Sequence, residues 1–279
     1  MGLHLSHDVT LGWPRAGTLP IGVRFAPSIA RFPDDPDLKR GGAEVIWPDG
    51  PNNDWGRRIL RDVPTGFDGL VMLDNEGPQH DALWAPLGQL VHPGRRKMSI
   101  AAMCRQVDAC KRVRPKAAFG FYAVPSGGWY APRMYEQTRR YGNELHELYY
   151  HVDVIMPGLY CPETSPGHER HADFVMEMAW SIARKKGLPL APVVGTRSYS
   201  RGDDQAVLLG EDVLSPWMKV VMKYRPEHLI YWQNEPGFVR LLKEKALRRA
   251  LTDDEITTSR EEAARNLAWG LNFFRRYMY

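Results

Sequence analysis

The sequence predicts an α/β protein: a distorted (β/α) barrel of the triosephosphate-isomerase type, with about seven to eight strands, in a single domain spanning residues 1–279. Short apolar runs with strand character alternate with longer segments of helical periodicity, which is typical of parallel strands joined by crossover helices. Proline and glycine fall between the elements and do not collect in one linker. This distribution indicates one domain.

The strand candidates are apolar runs bounded by turn residues. They are Ile21–Ala26, Ala43–Trp47, Gly69–Asp74, Ala117–Val124, Val152–Leu159, Leu190–Gly195 and His228–Trp232. The helix candidates have apolar residues at helical spacing. They are Asp54–Arg61, Met98–Val113, Met134–Tyr150, His171–Lys186, Gln205–Tyr224, Gly237–Leu251 and Asp253–Tyr277.

An open doubly wound sheet is the alternative α/β architecture. A dinucleotide-binding sheet of that kind has a glycine-rich turn after its first strand, whereas Ile21–Ala26 is followed here by Pro27-Ser28-Ile29-Ala30. The sequence contains no phosphate-binding glycine loop elsewhere. The barrel is therefore favoured, and its working residues are expected at the carboxyl ends of the strands.

The composition, with 43% hydrophobic and 25% charged residues, is that of an ordinary globular protein. The formal charge of +4 is mixed in sign along the chain, so no nucleic-acid partner is expected. No run approaches the ~18 apolar residues of a membrane span, and residues 1–10 lack the pattern of a secretory signal. We expect no membrane association and no cofactor, while the compartment and the oligomeric state stay open.

The run Gly69–Leu73 ends in two carboxylates, Asp74 and Glu76. Two residues is the period of a strand, so both carboxylates are expected on one face with Cα atoms ~6.5 Å apart. Two carboxylates this close raise the pKa of one of them, which supplies one proton donor and one anion. The alternative is that both merely cap the strand end in solvent.

Aromatic and hydroxyl side chains follow the other predicted strands at the same edge. They lie in the segments 120–125, 156–160, 196–199 and 231–234. Sugars offer flat CH faces that stack on tyrosine and tryptophan, and hydroxyls that need a few placed polar partners. The sequence therefore predicts a carbohydrate cleft, with an oligo- or polysaccharide as the substrate.

These segments resemble the hyaluronidases, a family built on a distorted, roughly seven-stranded βα barrel, from about Gly66 to Asn234. The family's third strand ends in Asp-Trp-Glu, where this chain has Asp74-Asn75-Glu76. The other matches are Arg114-Pro115 to Arg-Pro, Phe119–Pro125 to Trp-Gly-Tyr-Tyr-Gly-Phe-Pro, Pro157–Tyr160 to Pro-Ser-Ile-Tyr, Gly195–Tyr199 to Tyr-x-Arg-x-x-Tyr, and Trp232-Gln233 to Trp-Gly.

The resemblance implies a retaining glycoside hydrolase that cleaves an N-acetylhexosamine-containing glycan, with the substrate's own 2-acetamido oxygen as the nucleophile. It implies that Glu76 is the general acid and base, and that Asp74 orients the acetamide and stabilises its charge. Tyr160 would complete the catalytic group. The implied substrate-binding residues are Tyr122, Trp129, Arg197, Tyr199 and Trp232.

The chain departs from the family pattern at two of these places. Asn75 replaces the central tryptophan of the acidic motif, and the family's Pro-Asp-Cys-Tyr-Asn stretch is Pro125–Tyr130 here, without a cysteine. The family's disulfide cysteines are not reproduced, and Cys104 and Cys110 lie ~9 Å apart along a predicted helix, too far to bridge. The chain therefore resembles a distant relative of the hyaluronidases. Its substrate is expected to differ from theirs sooner than its mechanism does.

Two alternatives remain. Asn75-Glu76 and Asn234-Glu235 both resemble the Asn-Glu of ordinary two-carboxylate retaining glycosidases, in which Glu76 and Glu235 would face each other ~5 to 5.5 Å apart. A non-catalytic carbohydrate-binding barrel is a second alternative. A metal site is not expected, because His146-Glu147 and His151 have the wrong spacing for the zinc helix motif, and His168 and His171 are predicted to lie in a loop flanked by proline and glycine.

Overall fold

The structure is a computed structural model that describes residues 2–6, 23–25, 28–31, 54–75, 83, 93–125, 135–159, 167–198, 207–232 and 235–278. Its strands are β1 Gly2–Ser6, β2 Val23–Phe25, β3 Ser28–Arg31, β4 Leu70–Asn75, β5 Ala118–Phe121, β6 Gly158–Leu159, β7 Val193–Val194 and β8 His228–Trp232. Its helices are α1 Asp54–Asp62, α2 Pro93–Val113, α3 Tyr135–Glu144, α4 His168–Lys186, α5 Glu211–Lys223, α6 Glu235–Leu247 and α7 Asp253–Arg275, with a short 3₁₀ helix at Leu148–Tyr150.

The described strands form two sheets in which neighbouring strands are parallel. The first has the order β2-β1-β8-β7-β6 and the second the order β3-β4-β5. A parallel bridge between Tyr122 and Met156 joins the end of β5 to the strand region before β6. Strands that follow one another in the chain are thus neighbours in space, as in a βα barrel. Within the described ranges no pairing joins β2 to β3, so a closed barrel stays a prediction.

Six of the seven predicted strands overlap an observed strand, among them Ile21–Ala26, which contains β2. The seventh, Ala43–Trp47, lies outside the described residues. The strands β1 and β3 do not coincide with any predicted strand. Both are short, and each is defined by its pairing with a neighbouring strand.

The predicted helices are all present, with shifted ends. The helix predicted from Met98 begins at Pro93, because proline at the first helical position needs no hydrogen-bond partner for its nitrogen. The segment predicted as one helix over 134–150 divides into α3 and the 3₁₀ helix. None of the helices in the described part of the chain is long and apolar enough to cross a membrane.

The start of α7 is encoded locally. The Thr252 hydroxyl accepts a hydrogen bond from the Glu255 N–H at 3.4 Å, and the Glu255 carboxylate accepts one from the Thr252 N–H at 2.9 Å. This reciprocal arrangement satisfies two amide donors that a helix end otherwise leaves without partners. The predicted beginning of this helix at Asp253 is therefore confirmed.

The apolar residues separate into two clusters. The larger one lies between the strands and the surrounding helices. The smaller one, here called the inner cluster, is formed only by strand residues and their immediate neighbours. It consists of Leu70, Met72, Val154, Met156, Ala191, Val193 and Ile230. In β4, Leu70 and Met72 belong to the inner cluster while Val71 and Leu73 belong to the larger one, so the two faces of this strand point to different clusters.

Candidate active site

The carboxylate of Asp74 lies at the carboxyl end of β4 and is buried, with 5% of the residue exposed. Leu70 and Met72, at two-residue intervals before it, belong to the inner cluster, so Asp74 continues their face of the strand. A carboxylate is costly to bury unless other groups stabilise it. The interpretation of Asp74 as a solvent-exposed strand cap is therefore wrong.

Tyr122 and Trp232 stand on the same side of the sheets as Asp74. Both are half-buried and pack against the inner cluster, Tyr122 after β5 and Trp232 at the end of β8. The Tyr122 N–H donates a hydrogen bond to the Leu73 carbonyl at 3.0 Å, which places Tyr122 next to Asp74 across the paired strands. Asp74 and Tyr122 are thus neighbours on paired strands, and Trp232 packs against the same inner cluster at the carboxyl end of β8.

Two glycines make room for this arrangement. A Cβ atom on Gly158 would lie 2.9 Å from the Cε2 atom of the Tyr122 ring, so the ring covers the backbone of β6 at a place where no side chain fits. A Cβ atom on Gly120 would lie 2.6 Å from the carbonyl oxygen of Val154. Glycine within a strand often marks such a close approach, which is the signal in the sequence that could have located this contact.

Arg197 follows β7 and is buried, with 6% of the residue exposed. It forms an antiparallel bridge with Leu208, and the flanking Ser198 N–H donates to the Val207 carbonyl at 2.9 Å. The preceding residue, Thr196, lies with its hydroxyl 3.1 Å from the Tyr231 hydroxyl. These bonds hold the backbone at Arg197 in place just after the carboxyl end of β7.

Four of the predicted site residues lie outside the described residues. They are Glu76, Trp129, Tyr160 and Tyr199. Their placement at the site stays a prediction. Glu235, the carboxylate of the two-carboxylate alternative, is the first residue of α6 and follows β8 by three positions.

The histidines considered as metal ligands are held by contacts in different parts of the structure. The Nδ1 atom of His151 lies 2.8 Å from a carboxylate oxygen of Asp108, and His168 and His171 are buried in the first turns of α4. Among the described residues, no group of three or more potential metal ligands is close enough to hold an ion. Cys104 and Cys110 are buried in α2 without a disulfide between them, and burial raises the pKa of each thiol to about 12.

Arg96, which no sequence pattern singles out, connects the segment after β4 to α2 and α3. Arg96 is buried in α2, and its Nε atom donates to the carbonyl of Leu83 at 3.3 Å. Its other guanidinium nitrogens contact the carboxylate of Glu144 and the carbonyl of Tyr141 on α3. Leu83 belongs to the same connection between β4 and α2 as Glu76, so Arg96 anchors one point of that connection. No local motif announces such a contact.

The burial of His171 should make stability depend on pH. Burial lowers the pKa of His171 to about 4, below the value of about 6.5 in an unfolded chain. The unfolded chain therefore binds more protons between these values, and stability falls as the pH falls from about 6.5 to 4. We expect a loss of about 3 kcal/mol in the free energy of unfolding from this group.

Urea denaturation at a series of pH values measures this loss. The neutral variants His171→Phe and His171→Gln should flatten the profile between pH ~6.5 and 4, whereas His146→Gln, at an exposed position, should leave it unchanged. An unaltered slope in both His171 variants would contradict the assignment.

Comparison with solved structures finds similar folds at low sequence identity. Bee venom hyaluronidase superimposes with a TM-score of 0.55 and 17% identity, covering 69% of this chain and 74% of that chain. A second structure of bee venom hyaluronidase, in complex with a hyaluronic acid tetramer, gives a TM-score of 0.54 and 18% identity, covering 69% of each chain. Neither the protein-family models nor the curated proteins contain a match to the sequence. The predicted likeness to hyaluronidases is therefore confirmed at the level of the fold.

Proposed function

We propose that this protein is a retaining glycoside hydrolase that cleaves glycans containing N-acetylhexosamine by substrate-assisted catalysis. The single observation that carries the proposal is the buried carboxylate of Asp74 at a strand end, next to Tyr122 on the paired strand, with Tyr122 and Trp232 both half-buried against the inner cluster. The likeness of the fold to bee venom hyaluronidase supports it, as does the presence of Glu76 two residues after Asp74.

In the proposed reaction, the acetamido carbonyl oxygen of the substrate attacks the anomeric carbon while the glycosidic C–O bond breaks. Glu76 gives its proton to the leaving oxygen. A bicyclic oxazolinium-like intermediate forms, and Glu76 then removes a proton from the water that opens it. Two inversions at the anomeric carbon give net retention.

Asp74 is proposed to orient the acetamide and to stabilise the positive charge that develops on its nitrogen. A buried carboxylate suits this role, because a fixed charge acts more strongly in a site from which water is excluded. Tyr122 and Tyr160 are proposed to hydrogen-bond around the acetamide, and Trp232 to form the wall of its pocket. Arg197, Tyr199 and Trp129 are proposed to contact neighbouring sugar units.

A matched pair of substrates tests this mechanism. One carries the 2-acetamido group and the other a plain 2-hydroxyl at the cleaved sugar, with the same aglycone. We expect cleavage of the first at a rate at least a hundredfold higher, because positioning of an internal nucleophile is worth a large factor in rate. A thiazoline mimic of the intermediate should inhibit competitively, since analogues of the transition state bind tightly.

Equal cleavage of both substrates, with indifference to the thiazoline, would remove substrate assistance and favour the two-carboxylate mechanism. Binding of acetamido-oligosaccharides without release of reducing ends would favour the non-catalytic barrel. Retention should be read directly from the anomeric configuration of the first product by proton NMR.

A further inference from the structure

A cleft of about 770 Å³ opens at the amino ends of β7 and β8, whereas Asp74 lies at the carboxyl end of β4. Its walls come from the end of α4, the segment before β7, the end of α5 and the residue before β8. Trp232, like Asp74, lies at the carboxyl end of its strand. Its volume is within the range of ligand clefts, roughly 300–1,000 Å³.

The cleft carries an excess of positive charge. Arg184, Lys223 and Arg225 line it together with a single carboxylate, Glu227. The Glu227 carboxylate accepts a hydrogen bond from the Leu190 N–H at 2.8 Å. Lys223 forms an ion pair with Asp173 at 2.9 Å. Within the described ranges, Arg184 and Arg225 form no ion pair, so two guanidinium groups remain for an anionic ligand.

Arg225 is the first residue after Tyr224, the C-cap of α5. Its φ of 48° lies in the left-handed region, which a residue with a Cβ atom adopts at a cost of roughly 1–2 kcal/mol. Pro226 follows and further restricts the backbone of Arg225. A left-handed residue commonly follows the last turn of a helix, so this φ belongs to the end of α5 and fixes the direction in which the chain leaves it.

Two aromatic rings complete the wall. Trp180 and Tyr224 are in edge contact, with ring centroids 6.2 Å apart, and the Arg184 guanidinium lies 4.9 Å from the Trp180 ring centroid. The Tyr224 hydroxyl donates to the Asp173 carboxylate at 2.7 Å, which fixes the ring. Burial, followed by the adjacent Asp173, raises the pKa of Tyr224, so it stays a neutral ring at physiological pH.

We propose that this cleft is a second carbohydrate-binding site, which takes a carboxylate-bearing segment of an acidic oligosaccharide. The uronate carboxylates would pair with Arg184 and Arg225, since guanidinium groups bind carboxylates in a bidentate manner. Arg184 lies over one face of Trp180 and Lys223 over one face of Tyr224, so the apolar faces of the sugar rings would lie against the remaining exposed parts of these half-buried rings. The identity of the ligand as a glycan rests on the proposed function. A long acidic polymer held here and at the site of Asp74 would gain affinity through multivalency.

Hydrogen–deuterium exchange of the full-length chain locates this binding. The probe is a hyaluronan oligosaccharide, with alternating uronate and N-acetylhexosamine units, added to the Asp74→Asn variant so that cleavage is suppressed. We expect protection of the segments 180–190 and 223–227. In the same background, the pair Arg184→Gln and Arg225→Gly should abolish that protection and weaken binding to the cleft at least tenfold.

Three controls keep the result specific. Glycine at 225 suits the left-handed backbone, so the double variant should fold with an unchanged thermal midpoint or a higher one. Lys185→Gln, at the exposed neighbour of Arg184 outside the cleft, should leave the protection intact. A neutral chitin oligosaccharide should give no protection of the two segments.

Protection that survives in the double variant would overturn the inference, as would equal protection by the chitin oligosaccharide. Equal protection by inorganic phosphate or a mononucleotide would assign the cleft to phosphate and overturn it too. Protection without hydrolysis of any glycan would overturn the proposed catalytic function alone. Hydrolysis of an acidic glycan by the wild-type chain, without protection at the cleft, would overturn the second site alone.

Discussion

Replacing Glu76 by glutamine is expected to lower turnover on a natural glycan by roughly 10²- to 10⁴-fold, the range that general acid–base catalysis supplies. Glutamine keeps the shape and hydrogen-bonding capacity of the side chain but cannot donate the proton to the leaving oxygen. The fold should survive, as judged by circular dichroism and thermal unfolding. Substrates with activated aryl leaving groups should be affected less, because such groups depart without protonation.

Glu235→Gln is the matched control for Glu76→Gln. Glu235 opens α6, and its loss should cost roughly 0.3–1 kcal/mol of stability through the helix dipole with little change in turnover. If Glu235 were instead the nucleophile of a two-carboxylate enzyme, the variant would be inactive on every leaving group. A well-folded but inactive Glu235→Gln, or a fully active Glu76→Gln, would therefore transfer the mechanism to the alternative.

Replacing Asp74 by asparagine is expected to lower kcat at least a hundredfold with a smaller change in KM. Asp74 is proposed to act on the acetamide as it attacks, so its charge matters more in the transition state than in the bound substrate. Asparagine has nearly the same volume, which leaves the buried site filled. Steady-state kinetics on an acetamido substrate measure both constants.

Asp68→Asn is the matched control for this variant. Asp68 is an exposed residue just before the amino end of β4, so the same chemical change is made beside the same strand but away from the proposed site. Its kcat and KM should equal those of the wild type. If Asp74→Asn raised KM but left kcat unchanged, the result would contradict the proposed role of Asp74.

Several elements could be predicted from the sequence because their signals are local. The strand β8 was predicted with its observed ends, since an apolar run between turn residues is readable within a short window. The start of α7 follows from Thr252 and Glu255, three positions apart. The position of Asp74 at a strand end is predicted by the same kind of local signal, because Asp74 directly follows the apolar run Gly69–Leu73.

Other features required the folded chain because their partners are distant in sequence. Arg96 contacts Leu83 and residues of α3 that lie more than forty positions away, and nothing near Arg96 indicates this. The strands β1 and β3 are defined by their parallel pairing with neighbouring strands that lie far away in the sequence.

The sequence by itself therefore determined the alternation of strands and helices, the carboxylate at the end of β4 and the chemical class that these residues suggest. Only the tertiary structure decided that Asp74 is buried next to Tyr122, that Trp232 packs against the same inner cluster, and that Arg184 and Arg225 line one cleft. The physical reason is that local propensity and periodicity act over a few residues, whereas burial and charge proximity depend on which strands and helices become neighbours.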